Sequence, residues 1–225
     1  SGGNHTFNVT ARPLTFSSSR NYDGITTANT SGLSYTFSNL VSGESLVLNG
    51  SGTVASKDVS GGTQNITLGT ITLADNTGVA SNYSLTSGTM NITQKQVNLT
   101  GTKVYDNNTT LNNSIISVAS GLVGSETLGL SGDVVTNSSN VGTYLASANQ
   151  LNSGSTNIAL TNGSNGGLSN NYTINEGTYS ITQRPVTISG TKVYDGAQTV
   201  SAANITTFNN TAGGQTLTVS GNTSF

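Results

Sequence analysis

The sequence predicts an all-β protein built of tandem β-sandwich-like (Ig-like) modules of about 83–89 residues, stacked end to end into a rod. Three observations predict it. One motif series recurs three times in register along the chain. Apolar residues alternate over short runs, and no window sustains a 3.6-residue period. Turn signals return about every eight to twelve residues. A barrel or a β-grasp-like topology fits the same strand pattern, so the layer arrangement stays open.

The fullest copy of the series runs from Thr178 through Tyr179, Ile181, Gln183, Arg184-Pro185, Val186, Ile188 and Lys192 to Tyr194-Asp195-Gly196. A second copy runs from Thr89 through Met90, Ile92, Gln94, Val97, Leu99 and Lys103 to Tyr105-Asp106-Asn107. A third runs from Thr6 through Phe7, Val9, Arg12-Pro13, Leu14, Phe16 and Arg20 to Tyr22-Asp23-Gly24. The three tyrosines are separated by 83 and 89 residues. That period is too long for one solenoid turn and suits a small domain with its own modest core. The chain therefore divides into residues 1–11, the final strand of a preceding repeat, then repeats 12–94 and 95–183, and then 184–225, the first half of a third.

Landmarks recur in order inside each repeat. An apolar pair (Leu14/Phe16, Val97/Leu99, Val186/Ile188) precedes the Tyr-Asp turn. A Leu-x-Leu-type strand follows, at Leu46/Leu48, Leu128/Leu130 and Leu217/Val219, each ahead of a glycine: Gly50, Gly132 and Gly221. Asn82-Tyr83 and Asn171-Tyr172 come later. Ser114–Val123 is the best helix candidate, but its β-branched residues and neighbouring glycine assign it to strand and loop.

At the junctions the apolar step from Ile92 to Val97, and from Ile181 to Val186, is five residues. An odd step turns the side chain to the opposite face of a strand, so the chain leaves one core and enters the next with no linker between them. Pro13 and Pro185, the only prolines, stand at the start of the incoming strand, where a missing N–H is tolerated. The third repeat breaks off at Phe225, the counterpart of Thr136. The expectation is a longer parent chain that continues with a Val-Gly-Thr-Tyr-like strand and an Asn-Tyr pair.

Composition narrows the function. Charged residues are 7% and the net charge is −2, so no basic surface is available to collect phosphates. No apolar run reaches the roughly 20 residues of a membrane-spanning helix, so no membrane insertion is expected in this segment. The absence of cysteine removes disulfides and thiolate metal sites. Abundant Thr, Val and Ile with low net charge favour strands over disorder.

Gly190-Thr191-Lys192-Val193-Tyr194-Asp195-Gly196, Tyr22-Asp23-Gly24, Asn140-Val141-Gly142-Thr143-Tyr144 and the Ile181-Thr182-Gln183-Arg184-Pro185 junction together resemble the YDG-type repeats of large secreted bacterial adhesins of the filamentous-haemagglutinin-like kind. The resemblance covers essentially the whole chain and lies in the order of the motifs. Asn107 replaces the turn glycine, Arg20-Asn21 stands for Lys-Val, and Val59-Ser60-Gly61 stands where Val-Gly-Thr-Tyr is expected. The resemblance implies an extracellular fibre on the bacterial surface or secreted, and it carries no catalytic residues to transfer.

Read by their chemistry, the candidate sites are structural. Tyr22, Tyr105 and Tyr194 fall in phase with the apolar pairs and are expected in the core near a module rim, with glycan stacking as the alternative. Asp23, Asp106 and Asp195 are expected to cap the turns with their side chains, and Gly24, Asn107 and Gly196 to supply positive φ. Acidic residues are too sparse for a calcium loop. A Lys–Asn amide crosslink from Lys103 or Lys192, using an acid at Glu44 or Glu126, is disfavoured because Gln215 and Arg20 break the set. The single histidine, His5, offers no triad, so neither catalysis, cofactor nor metal is expected. Asn-x-Ser/Thr sequons exceed what composition supplies, and Asn65, Asn82, Asn91, Asn98, Asn171 and Asn204 are candidates for glycosylation. The expected role is a structural stalk or fibre segment whose partners are neighbouring repeats and like chains. The alternative is an adhesive module that itself binds a host or cell-surface glycan.

Overall fold

The computed structural model describes residue 3, residues 5–147, residue 150 and residues 157–224. The protein is all-β with several sheets. The first repeat contributes β1 (Arg12–Asn21), β2 (Thr27–Asn29), β3 (Ser34–Ser38), β4 (Leu46–Asn49), β5 (Ser51–Thr53), β6 (Thr63–Ile66), β7 (Thr72–Asp75) and β8 (Tyr83–Thr93). The second contributes β9 (Lys95–Val104), β10 (Thr110–Asn112), β11 (Ile116–Ser120), β12 (Leu128–Ser131), β13 (Asp133–Val135), β14 (Gly142–Ser147), β15 (Ala159–Asn162) and β16 (Tyr172–Thr182). The third contributes β17 (Thr187–Gly190), β18 (Thr199–Ser201), β19 (Ile205–Asn209) and β20 (Asn222–Ser224).

The topology repeats strand for strand. The first main sheet has the order β3-β1-β8-β6 and the second β11-β9-β16-β14. Two-stranded ladders β2-β5 and β4-β7 recur as β10-β13 and β12-β15. In the third repeat β17-β19 and β18-β20 follow the same plan. The first and last strands of a repeat are central neighbours. β1 runs parallel to β8 from Arg12↔Tyr83 to Asn21↔Thr93, with a bulge after Leu14. A parallel pair needs a crossover, and here the rest of the repeat supplies it.

Parallel pairing puts the exit of the repeat beside its Tyr-Asp turn. The Tyr22 N–H donates to Thr93 O at 2.8 Å, and the Tyr105 N–H donates to Thr182 O at 2.9 Å. Only Gln94 separates β8 from β9, so the chain passes directly from one sheet into the next. Alternation accounts for the burial: Leu14 and Phe16 on β1, Met90 and Ile92 on β8, and Val97 and Leu99 on β9 are all buried. In the third repeat Val186 is 37% and Ile188 48% exposed, unlike their buried counterparts. Among the described residues β17 pairs with β19 alone, and no parallel neighbour covers it.

The strand entries are pinned locally. Asn39, at φ 69°, accepts the Arg12 guanidinium and donates from Nδ2 to Pro13 O at 2.7 Å. Asn210, at φ 67°, does the same for Arg184 and Pro185. Where the second repeat has Lys95-Gln96 instead, Gly121 takes the left-handed position at φ 100°, and an added Cβ would lie 2.2 Å from Gln96 O. Short 3-10 turns, unanticipated from sequence, precede β3, β11 and β19. The first two are capped by Asn29 and Asn112, whose Oδ1 atoms accept the N–H of Ser31 and Ser114.

Packing divides the chain into two compact units. One comprises Ser1–Val97, Gly121–Gly129 and Leu160–Thr173; the other comprises Asn98–Ser120, Leu130–Ala159 and Ile174–Phe225. The first unit has a core of Leu14, Leu46 and Tyr83 with Phe37, Leu40 and Leu73 packed on it. The second buries Leu99, Leu111, Ile116, Val134, Tyr179 and Ile181.

Candidate functional site

Each Tyr-Asp turn is closed by one cation. Lys103 Nζ donates to Asp106 Oδ1 at 2.8 Å, Asn108 O at 2.6 Å and Thr110 O at 3.0 Å. Lys192 Nζ takes Asp195, Ala197 O and Thr199 O. Arg20 takes Asp23, Ile25 O and Thr27 O, so the arginine does the work of the lysines. The aspartates cap as expected: the N–H groups of Ile25, Asn108 and Ala197 donate to Asp23, Asp106 and Asp195. Gly24, Asn107 and Gly196 have φ of 80°, 64° and 76°. Partial burial opposes ionisation of Asp106, but Lys103 and the Asn108 N–H outweigh it and hold the carboxyl below its usual range. Lys192 and then the Ala197 N–H do the same for Asp195. Each lysine ammonium is held by three oxygens of its own turn.

The turn presents its tyrosine to the following repeat. In the first compact unit Tyr22 is fully buried, and its hydroxyl donates to Glu126 Oε1 at 2.7 Å. The Tyr172 hydroxyl donates to Glu126 Oε2 at 2.6 Å. The two rings meet edge to face, centroids 5.4 Å apart at 77°. Each phenol oxygen also accepts: Tyr22 from Lys57 Nζ at 3.3 Å, Tyr172 from the Val123 N–H at 3.0 Å. Lys57 Nζ lies 3.6 Å from Glu126 Oε1, with a half-exposed side chain.

Magnitudes decide which contacts matter. An isolated buried carboxylate costs several kcal/mol, which the surrounding donors must offset. Hydrogen bonds to a charged group contribute about 1.5–3 kcal/mol each, and an aromatic pair about 0.5–1.5 kcal/mol. The half-exposed lysine adds at most about 1 kcal/mol. The two phenols are therefore the main partners of Glu126.

Neighbouring residues grip the same segment. Asn171, 0% exposed, accepts the Val59 N–H at 2.9 Å and donates to Asp58 Oδ1 at 2.8 Å. Gln94 Nε2 donates to Asn170 O and Tyr172 O.

The second compact unit holds a variant of this clamp. Gln215, the counterpart of Glu126, donates from Nε2 to the Tyr105 hydroxyl at 2.6 Å, and that hydroxyl donates to Asn107 Oδ1. Tyr105 is only half-buried. Beside it lies a cavity of about 490 Å³ lined by Tyr105, Val141, Gln183, Pro185, Gln215 and Leu217. The counterparts of Tyr105, Val141, Gln183 and Gln215 grip residues 170–172 in the first unit. At the other end of the register Tyr83 donates to Glu44 and accepts the Val41 N–H, which repeats half of the clamp. Its hydrogen bond to Glu44 and its burial raise the Tyr83 pKa.

The expectation that all three turn tyrosines are core residues is met at Tyr22, partly met at Tyr105, and not met at Tyr194, which is 93% exposed. Tyr22 is covered by Glu126 and Tyr172 of the following repeat, and among the described residues nothing takes the Glu126 position toward Tyr194. Of the sequons, Asn65, Asn82 and Asn91 are exposed, and Asn98 and Asn204 are intermediate. Asn171 is buried with both ends of its amide hydrogen-bonded, which closes it to a glycan in the folded chain. Sequence reasoning passed over Lys57 and weighed Glu126 only for a crosslink. The available signal was an acid or amide at Glu44, Glu126 and Gln215 in a chain with nine acidic residues.

The chemistry of the clamp is fastening. Burial, then the hydrogen bond to Glu126, pushes Tyr22 and Tyr172 far above the usual tyrosine value, so both phenols stay protonated. A phenolate base or nucleophile would need the opposite shift. Among the described residues no three or more His, Cys, Asp or Glu side chains gather as a metal site. No helix there is long and apolar enough to cross a membrane.

The YDG domain family matches residues 7–91, from five residues ahead of β1 to two residues short of the end of β8. No curated protein and no solved structure matches the chain.

Proposed function

We propose that this chain is a structural stalk segment of a large extracellular bacterial adhesin, of the filamentous-haemagglutinin-like kind, at the cell surface or secreted. Ig-like repeats of about 83–89 residues stack into a rod that spaces a binding tip from the cell. The observation that carries this reading is the clamp: the turn tyrosine of one repeat is buried against Glu126 and Tyr172 of the next. Its recurrence at Tyr105–Gln215 and the single-residue spacer at Gln94 support a stiff succession of modules. The YDG match over residues 7–91 supports the repeat assignment on which this reading rests.

A glycan array and a host-cell adhesion assay with the 225-residue chain test the role. A stalk segment shows no saturable binding above an unrelated all-β control. Saturable glycan binding that is lost in Tyr194→Ser would contradict the stalk reading and assign adhesion to the repeats themselves.

A further inference from the structure

Tension along the chain reaches a repeat through its first and last strands, and these two are hydrogen-bonded neighbours. In the first repeat the chain enters β1 at Arg12 and leaves β8 at Thr93. These residues stand at opposite ends of one strand pair: Arg12 lies across from Tyr83, and Thr93 lies across from Asn21. The two strands run parallel over ten register pairs. A pull on the chain therefore drags β1 toward its start and β8 toward its end. The load runs along the strands and falls on the whole ladder at once. A strand pair entered and left at one end would instead open bond by bond.

Side chains reinforce this pair along its length. At the bulge after Leu14, Thr86 Oγ1 donates to Leu14 O at 3.0 Å. Ser18 Oγ donates to Thr89 O at 2.8 Å, and Thr93 Oγ1 donates to Arg20 O at 3.3 Å. Neither strand is an edge, because β3 flanks β1 and β6 flanks β8. Leu14, Phe16, Met90 and Ile92 are buried, and a slip of one residue would turn a strand's apolar set to the wrong face. The second repeat carries the same devices. β9 and β16 are central neighbours, and the Tyr105 N–H donates to Thr182 O at 2.9 Å, which sets the ends of both strands side by side. Thr182 Oγ1 donates to Lys103 O at 3.2 Å, as Thr93 does to Arg20. Asn175, the counterpart of Thr86, donates from Nδ2 to Asn98 Oδ1 at 3.1 Å. Gln94 alone joins β8 to β9, so a load that leaves one pair passes to the next through a single residue.

We propose that β1–β8 and β9–β16 are shear clamps, and that the repeats carry tension along the chain as a function of their own. This deepens the stalk proposal and rests on it only for the source of the load. Forced unfolding is governed by the unfolding rate rather than by equilibrium stability, so the property is read by pulling and not by melting.

Single-molecule force spectroscopy on the 225-residue chain tests it. The sequence has no cysteine, so an engineered pair fixes the pulling points. Ala11→Cys with Asn91→Cys loads β1 and β8 in shear. Ala11→Cys with Ser84→Cys pulls on one end of the same two strands and peels them apart, since Ser84 lies across from Pro13. All three positions are exposed. Unfolding lengthens the tether by roughly 250 Å in either geometry, which identifies the event. At one loading rate the shear geometry should rupture at several times the force of the peeling geometry. Equal forces, or a weaker shear geometry, would overturn the clamp. Equal forces in a chain whose scattering is extended would leave the stalk reading standing. A strong shear geometry in a compact particle would remove the stalk and keep the clamp.

Discussion

Tyr22 and Glu126 stand 104 positions apart in sequence, and the hydroxyl of one donates to the carboxylate of the other at 2.7 Å. The two residues belong to successive repeats, and Tyr172 completes the contact from the far side. Glu126 is the buried charge in a wider contact between the two repeats, which Asn171 extends to Asp58 and Val59.

Removing that carboxylate should be costly. Glu126→Ala strands two buried phenols and should destabilise the first unit by about 3–5 kcal/mol, the range for breaking a buried charged network. Glu126→Gln should cost only about 1–2 kcal/mol, since an amide can still bond a phenol, as Gln215 does with Tyr105. Chemical denaturation measures both. In a double-mutant cycle, Tyr22→Phe and Glu126→Gln should couple by about 1 kcal/mol; strict additivity would count against the clamp.

Alkaline pH should loosen the fold. Tyr22 and Tyr172 are raised by burial and then by Glu126, and burial pushes Tyr179 up to about 12. A group raised in the folded state favours folding fully below its unfolded value, about 10 for tyrosine. That contribution is lost as pH climbs through the folded values. Melting temperature should thus hold from neutral pH to about 9 and fall above 10, with late phenolate absorbance tracking unfolding. All eight tyrosines ionising together without loss of structure would contradict this.

Gly24 and Asn107 occupy equivalent turn positions but should respond differently. A Cβ at Gly24 would lie 2.8 Å from Val123 Cγ1. Gly24→Asn should therefore cost about 1–3 kcal/mol by overpacking, although Asn tolerates positive φ. Adding Val123→Ala should recover part of the loss. Asn107→Gly sits in an exposed turn and should change stability by no more than about 1 kcal/mol. Equal costs at the two sites would show that the backbone, not Val123, sets the requirement.

Tyr179→Phe should be neutral or stabilising by up to about 1 kcal/mol. Its buried hydroxyl has no hydrogen-bond partner among the described residues, and the first repeat places Met90 at the same position. A loss larger than about 1 kcal/mol would reveal a partner for that hydroxyl.

Local features were legible in the sequence because they are decided locally. Alternation at Leu14/Phe16 and Val97/Leu99 identified buried strands, and Gly24 and Asn107 announced positive φ within their own turns. Asp23 and Asp106 capped the residues two positions on, as their short side chains favour. What depends on a distant repeat was not legible. Tyr22 is buried against Glu126, 104 positions on, while Tyr194 is exposed, and identical Tyr-Asp-Gly triplets cannot encode that difference. Asn171 read as a sequon because the motif carries no information about Asp58 and Val59, which enclose it. The three-residue 3-10 turns are shorter than any periodicity can register.

Small-angle X-ray scattering of the dilute chain tests the stacked-stalk proposal most directly. A compact domain of this length has a radius of gyration of roughly 17 Å. Repeats clamped end to end should give a value well above that, with a pair-distance distribution drawn out into a long tail. A radius of gyration close to the compact value, with a symmetric distribution, would contradict the proposal.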